Sequence, residues 1–159
     1  MIVLSQSTRR FLVVLVAVLS IAVSSGGSEN LPSDIQVALS SSKALTLIVT
    51  VRSRSQERVT LATWRLPWGN RNSMLLAPVN TDGVCVANRY YVEEYPNYNK
   101  VSIEPNASIS GEIDLKRVIP ELGDAVKKTD VHLFWAYRAP EELHIGGWSG
   151  GWILIPQQQ

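Results

Sequence analysis

Residues 147–151 read Gly-Trp-Ser-Gly-Gly, a literal Gly-x-Ser-x-Gly. In hydrolases that motif lifts a nucleophilic serine onto a tight strand-to-helix turn, and an acid and a histidine follow it in the chain. Here only Trp152 to Gln159 follow, with no Asp, Glu or His among them, and they read as a strand. A glycine-rich bend over 146–151 is therefore expected. Metal chemistry needs several His, Cys or carboxylate ligands that converge. The chain has two histidines, His132 and His144, one cysteine, Cys85, and no His-Glu-x-x-His. Glu141, Glu142 and His144 share one loop, where the choice is between a weak surface site and ordinary solvated side chains, and the second is expected. His132 falls on the face shared with Phe134 and is expected to be a core or half-buried histidine satisfied by hydrogen bonds. The carboxylate pairs Glu93–Glu94 and Glu141–Glu142 are adjacent in sequence, and neighbours in a strand point to opposite faces, so neither pair converges by itself. Phosphate-binding glycine loops are missing. Cys85 lies in the apolar run Val84-Cys85-Val86-Ala87, which predicts a buried, inert thiol; an intermolecular disulfide or a reactive nucleophile are the alternatives. No catalytic residue, metal site or cofactor is expected.

Aromatic residues are the remaining chemistry. Of the five Trp and five Tyr, Trp68, Tyr95, Tyr98 and Trp148 fall in segments that read as loops, and Tyr90 and Tyr91 stand where a strand runs into the Tyr-rich loop. Exposed aromatics anchor many binding surfaces. Trp68, Tyr91, Tyr95, Tyr98 and Trp148 are the candidate binding residues, with the Tyr-rich loop over 90–98 foremost. The alternative is that about half of them plug the ends of the fold.

The elements that must position these residues are strands. Ile35 to Leu39 alternates, and Leu45 to Val51 is the clearest period of two in the chain. Ser53 to Glu57 reads as a polar turn carrying the basic cluster Arg52, Arg54 and Arg58 at a hairpin tip. Val59 to Trp64 returns from it, with Trp64 on the wrong face for a simple strand, a conflict that a bulge or two-sided burial resolves. Met74 to Val79 is expected at an edge because of Pro78. Asn80-Thr81-Asp82-Gly83 carries an Asp-Gly turn signal, and Val84 to Val92 is the return strand. Val101–Ile103, Ser108–Leu115, Val131–Tyr137 and Trp152–Ile155 complete the set. In Val131–Tyr137 the inward set is Val131, Leu133, Trp135 and Tyr137. Helical spacing appears only between Asp114 and Lys128, broken by Pro120 and Gly123, which leaves a turn or two. Seven to nine short strands with regular turn signals predict an all-β, immunoglobulin-like antiparallel sandwich with one short helical turn, a single domain over 34–157.

The first residues bear on compartment. Arg9 and Arg10 precede the apolar run Phe11–Val23, and Ser24, Ser25, Gly26 and Gly27 follow. That order is a secretory signal peptide, expected over residues 1–25 with a flexible segment over 26–33; an uncleaved anchor is the alternative. This stretch of thirteen residues, apolar except for Ser20, falls short of the roughly 20 that span a bilayer, so no membrane span is expected after cleavage. Losing Arg9 and Arg10 turns fifteen basic residues into thirteen against fourteen acidic ones, a net charge of −1. A near-neutral chain has no electrostatic reason to seek nucleic acid. Asn106-Ala107-Ser108 fits a glycosylation acceptor.

The phrases Leu45–Val51, Val59-Thr60-Leu61 running into Trp64 and Pro67, Asp82-Gly83, and Gly111-Glu112-Ile113-Asp114-Leu115 after Glu104-Pro105-Asn106 carry a resemblance. The stretch Leu45–Leu115 resembles the non-catalytic β-sandwich domain of deuterolysin-like, lysine-specific metalloendopeptidases. The ending Phe134-Trp135-Ala136-Tyr137 … Gly151-Trp152-Ile153-Leu154-Ile155-Pro156 is similar to exported bacterial proteins of the same size. The peptidase zinc motif is absent, so the resemblance implies a fold and an extracytoplasmic setting and no catalytic residue. The expected function is an exported, non-enzymatic binding or interaction module that contacts protein or glycan through loops at one sandwich end. A protease-associated accessory or inhibitor domain is the alternative, and a small hydrolase using Cys85 or Ser149 is a third.

Overall fold

The computed structural model describes residues 34–87 and 98–158. The expected leader over 1–25, the segment over 26–33, and residues 90–97 of the Tyr-rich loop lie outside them. The described chain is all-β, with eight strands in three antiparallel sheets. In order they are β1 (Ile35–Leu39), β2 (Thr46–Arg52), β3 (Val59–Ala62), β4 (Leu75–Asn80), β5 (Lys100–Ile103), β6 (Ser108–Asp114), β7 (Val131–Arg138) and β8 (Trp148–Ile155). Two single-turn helices, α1 (Leu115–Val118) and α2 (Leu122–Ala125), separate β6 from β7. The helical pattern thus yields two turns, divided at Pro120. Asp114 stops β6 and starts α1, its carboxylate accepting from the Lys116 and Arg117 amides, which satisfies amides that have no partner inside the helix.

The first sheet runs β1-β2-β6, the second is the pair β3-β5, and the third runs β4-β7-β8. The first two sheets share one ribbon. β2 pairs with β6 from Thr46–Asp114 to Arg52–Ser108, and β3 pairs with β5 from Val59–Ile103 onward. The chain therefore does not turn back after Arg52, and the expected hairpin tip is overturned. Residues 53–58 are a break where a long two-stranded ribbon bends, opposite residues 104–107. Such bends let strands pass from one layer to another. Two buried serines make the break. Ser53 Oγ accepts from the Ser55 amide, and Ser55 Oγ accepts from the Glu57 amide. The Ser53 amide donates to Ala107 O, and the Arg54 amide to Leu143 O. Short hydroxyl side chains that bond their own backbone compete with the ladder, which is why the ribbon bends there. The basic cluster is divided between partners: Arg54 pairs with Asp34 and Arg58 with Glu104.

One core draws on all three sheets. Leu47, Val49 and Val51 of β2, Leu61 of β3, Leu76 of β4 and Val131, Leu133 and Tyr137 of β7 are fully buried, and Leu115, Leu122 and Val126 close it from the helical turns. The expected inward set of β7 holds, with Trp135 8% exposed. Two other expectations fail. Trp64 needs no bulge, because β3 ends at Ala62 and Thr63–Arg65 form a 3₁₀ turn. The glycine-rich stretch is not a bend from Trp148 onward: β8 begins at Trp148, and Gly150 and Gly151 pair with Ala136 and Trp135. A Cβ on Gly151 would sit 3.2 Å from Trp135 Nε1, and one on Gly150 2.9 Å from Trp135 O. Gly151 makes room for the Trp135 indole and Gly150 for the close Trp135 carbonyl, both within a strand.

Candidate functional site

Trp68 closes the space beside the first sheet. Its indole lies on Gly111 in the middle of β6, where a Cβ would fall 2.1 Å from Cδ2 of the ring. The side chain is half-buried against the core and forms part of a cleft of ≈ 460 Å³ with Lys43, Arg71, Glu112, Asp114 and Arg117. The charges there are largely committed: Lys43 pairs with Glu112, and Asp114 caps α1. Trp68 is thus a plug with one exposed side.

Trp148 stands elsewhere. Since Val131, Leu133, Trp135 and Tyr137 face the core, His132, Phe134, Ala136 and Arg138 face outward from β7. Across the third sheet the register sets these residues in rows. Val79, His132 and Leu154 form one row. Ala77, Phe134 and Trp152 form the next, then Leu75, Ala136 and Gly150; Arg138 and Trp148 end the set. Apart from His132 and Arg138 every member is apolar. Trp148 is 69% exposed, Trp152 61% and Leu154 50%. Phe134 and Trp152 pack at 5.1 Å between ring centroids with a 57° tilt, a favoured edge-on geometry. His132 is exposed, so the expectation of a core or half-buried side chain is corrected: its position in the register sends it outward. The outer face of the first sheet is different. It carries Gln36, Thr50, Arg52, Ser108, Ser110 and Glu112, with Ala38 and a half-buried Ile48 as its apolar members, and the Thr50 and Ser110 hydroxyls are bonded at 2.7 Å.

Tyr98 is 74% exposed just before β5. Tyr91 and Tyr95 lie outside the described residues. The structure therefore does not bring Trp68 and Trp148 together, one packing on the first sheet and the other standing on the third. Sequence reading missed Trp152, Leu154, Phe134 and Leu75. The available signal was that both alternating sets of 75–79 are apolar and that the outward set of 131–138 holds Phe134 and Ala136 between His132 and Arg138, which marks either two-sided burial or an apolar face left open.

The residues with nucleophilic or ligand chemistry are scattered. Ser149 is half-buried on the inward side of β8, opposite Tyr137, in a strand and not on a strand-to-helix elbow. Glu142 forms a bidentate pair with Arg65, at 2.6 and 2.9 Å. That hydrogen bonding holds the Glu142 carboxyl below its usual range. The Tyr137 phenol donates to Arg65 O at 2.8 Å, and burial raises its pKa above the ordinary value. Among the described residues no three His, Cys, Asp or Glu side chains are grouped as a metal site requires. Cys85 is exposed, contrary to the buried thiol expected. Past Gly83 only the bridge Val79–Cys85 extends the hairpin among the described residues, so Cys85 is not covered by a continuous sheet. Its Sγ donates to Ala87 O at 3.1 Å. No described helix is long and apolar enough to cross a membrane. Comparison with protein-family models, with curated proteins and with solved structures returned no match.

Proposed function

We propose that the chain is an exported, non-enzymatic binding module of immunoglobulin-like build, and that it engages its partner through the outer face of the third sheet. One observation supports this most: the two outer faces of one fold differ. The first sheet turns mostly Thr, Ser, Gln and charged side chains to water, with Ala38 and Ile48 among them and no exposed aromatic ring, as a solvated antiparallel sheet does. The third turns Leu75, Phe134, Trp148, Trp152 and Leu154 outward. A contiguous exposed apolar patch marks an interaction site more often than chance, and aromatic anchors dominate binding energy where they are buried by a partner. The expected loop surface is thereby moved to a sheet face, with Trp148 the residue common to both readings. Export rests on Arg9-Arg10, the apolar run Phe11–Val23 and the small residues after it. Intact mass of protein recovered outside the cytoplasm tests that part, with a new N-terminus expected between Ala22 and Gly27.

The contact surface is tested by affinity capture from the native extracytoplasmic extract, comparing wild type with Trp148→Ala/Trp152→Ala and with Tyr98→Ala. Capture lost only in the double variant, at an unchanged unfolding midpoint, places the contact on the sheet. Capture lost only with Tyr98→Ala returns it to the loops.

A further inference from the structure

We propose that the outer face of the third sheet binds a linear, uncharged polysaccharide, laid across the strands over Gly150 and Ala136. This rests on the reading of that face as the contact surface. The register builds the slot. Gly150 and Ala136, two small residues, sit side by side in one row and lead to Leu75. Trp152 with Phe134 rises on one side of that row, and Trp148 with Arg138 on the other. Trp148 and Trp152 are four residues apart on one strand, so their Cα atoms are about 13 Å apart, with only Gly150 between them on that face. Trp152 is braced by Phe134, so much of its indole is held open to solvent in one orientation, and preorganised groups lose little freedom on binding.

Size, main-chain chemistry and charge select the occupant. Three strands of six to eight residues make a face of about 25 Å by 15 Å, on the order of 400 Å². A stable protein–protein contact takes about 800 Å² from each side, so a second copy is poorly matched and a narrow chain fits. A peptide added as a strand would pair along the outer edge of β4 or β8, extending the sheet sideways, and would not lie across β7, which is paired on both sides at the centre of this face. An ordinary peptide laid flat here would leave its amides without partners. A sugar ring has no such difficulty. Its C–H face complements the negative face of an indole, and its hydroxyls project from the rim into water or toward Arg138 and His132 at the borders. The face carries one full charge, Arg138, and no carboxylate, which favours a neutral polymer.

The test is titration of the full mature chain with cellohexaose, xylohexaose and chitohexaose, followed by tryptophan fluorescence and calorimetry. A proline-rich dodecapeptide is the comparison probe, and sedimentation reports self-association. The expected result is saturable binding of at least one sugar, weakened about tenfold or more by Trp152→Ala and by Ala136→Glu, which fills the slot and leaves both indoles in place. Unchanged near-ultraviolet dichroism and unfolding midpoints show that both variants are folded. Absence of sugar binding overturns the inference. If the dodecapeptide binds instead and Trp152→Ala abolishes it, or if the wild type dimerises and Trp152→Ala does not, the sugar is wrong while the face remains the contact surface. Sugar binding that survives both variants overturns the slot and the face together.

Discussion

Cys85 and Gly111 show how far a single residue can be read from its neighbours. Cys85 sits in a run of Val and Ala that by composition belongs inside a fold, yet it is exposed: among the described residues the hairpin after Gly83 continues as the single bridge to Val79. Apolar composition is legible in sequence; the length of a ladder is set by a partner strand and is not. An exposed thiol should react: one thiol per chain is expected to titrate with a small disulfide reagent in the folded protein, at close to the rate seen in denaturant. Cys85→Ser should then shift stability by no more than about 0.5 kcal/mol, as for other exposed positions; a protected thiol would bury it again. Gly111 is the opposite case. It reads as one weak point in the alternation Ile109, Gly111, Ile113, while in the fold it is the seat of Trp68, with a Cβ position 2.1 Å from the indole. Gly111→Ala must displace that ring. A loss of about 1–3 kcal/mol is expected, the usual range for overpacking, together with a red shift in fluorescence as Trp68 moves toward water. An unchanged spectrum would mean that Trp68 does not lie on β6.

At the scale of elements, β7 and β8 were legible in one respect and hidden in another. The inward set Val131, Leu133, Trp135 and Tyr137 follows from period two alone, and it is buried. The start of β8 did not follow, because two adjacent glycines are a bend signal in isolation; the Trp135 indole explains Gly151, and the close Trp135 carbonyl explains Gly150. The same strand pair gives a matched comparison. Trp135→Ala leaves a cavity between Leu76 and Gly151 and should lower stability by about 3–5 kcal/mol. Trp152→Ala, on the outer face of the adjoining strand, removes a mostly exposed ring and one tilted contact, and should lower it by about 1 kcal/mol or less. Denaturant midpoints decide it, and equal losses would put both indoles in the core. The 3₁₀ turn at Thr63–Arg65 and the one at Glu141–Leu143 are joined by Arg65 and Glu142. Arg65 hydrogen bonding lowers the Glu142 pKa from its usual 4.5, so the folded state holds the carboxylate more firmly than the unfolded one. The resulting stability is present above the unfolded pKa and is lost as pH falls through the folded value. The groups are half open to water, which limits the effect to about 1 kcal/mol or less. Glu142→Gln should therefore be less stable than wild type at pH 7, with the difference vanishing in acid once the folded-state carboxylate is protonated; a difference that persists there would belong to packing.

At the scale of the molecule, the fold class was legible and its organisation was not. Strand count, turn spacing and the absence of a disulfide framework all point to an all-β domain held by packing. What escaped is the continuity of the β2–β3 ribbon with β6–β5, because Ser53 to Glu57 has the composition of a hairpin turn and its pairing depends on residues fifty positions downstream. The outer face escaped for a related reason: which alternating set faces water is decided by what covers the other. The shared ribbon has a consequence for unfolding. Among the described residues the second sheet is the pair β3-β5, and a two-stranded sheet is marginal by itself in water. Its strands are covalent extensions of β2 and β6, and Leu61 and Ile103 belong to the same core as Leu47 and Leu133. The bend at Ser53 is tied to Ala107 and, through Arg54, to Leu143. Loss of either half of the ribbon exposes core that the other half covers, so the sheets should not melt separately. A chain of residues 32–159, with the whole of this core, should unfold in one cooperative step: far-ultraviolet dichroism, near-ultraviolet dichroism and tryptophan emission should trace a single denaturant curve, and the calorimetric and van't Hoff enthalpies should agree. A far-ultraviolet transition that precedes the tryptophan signal would show the bent end opening first, with Ser53 and Ser55 acting as a hinge and not as a joint.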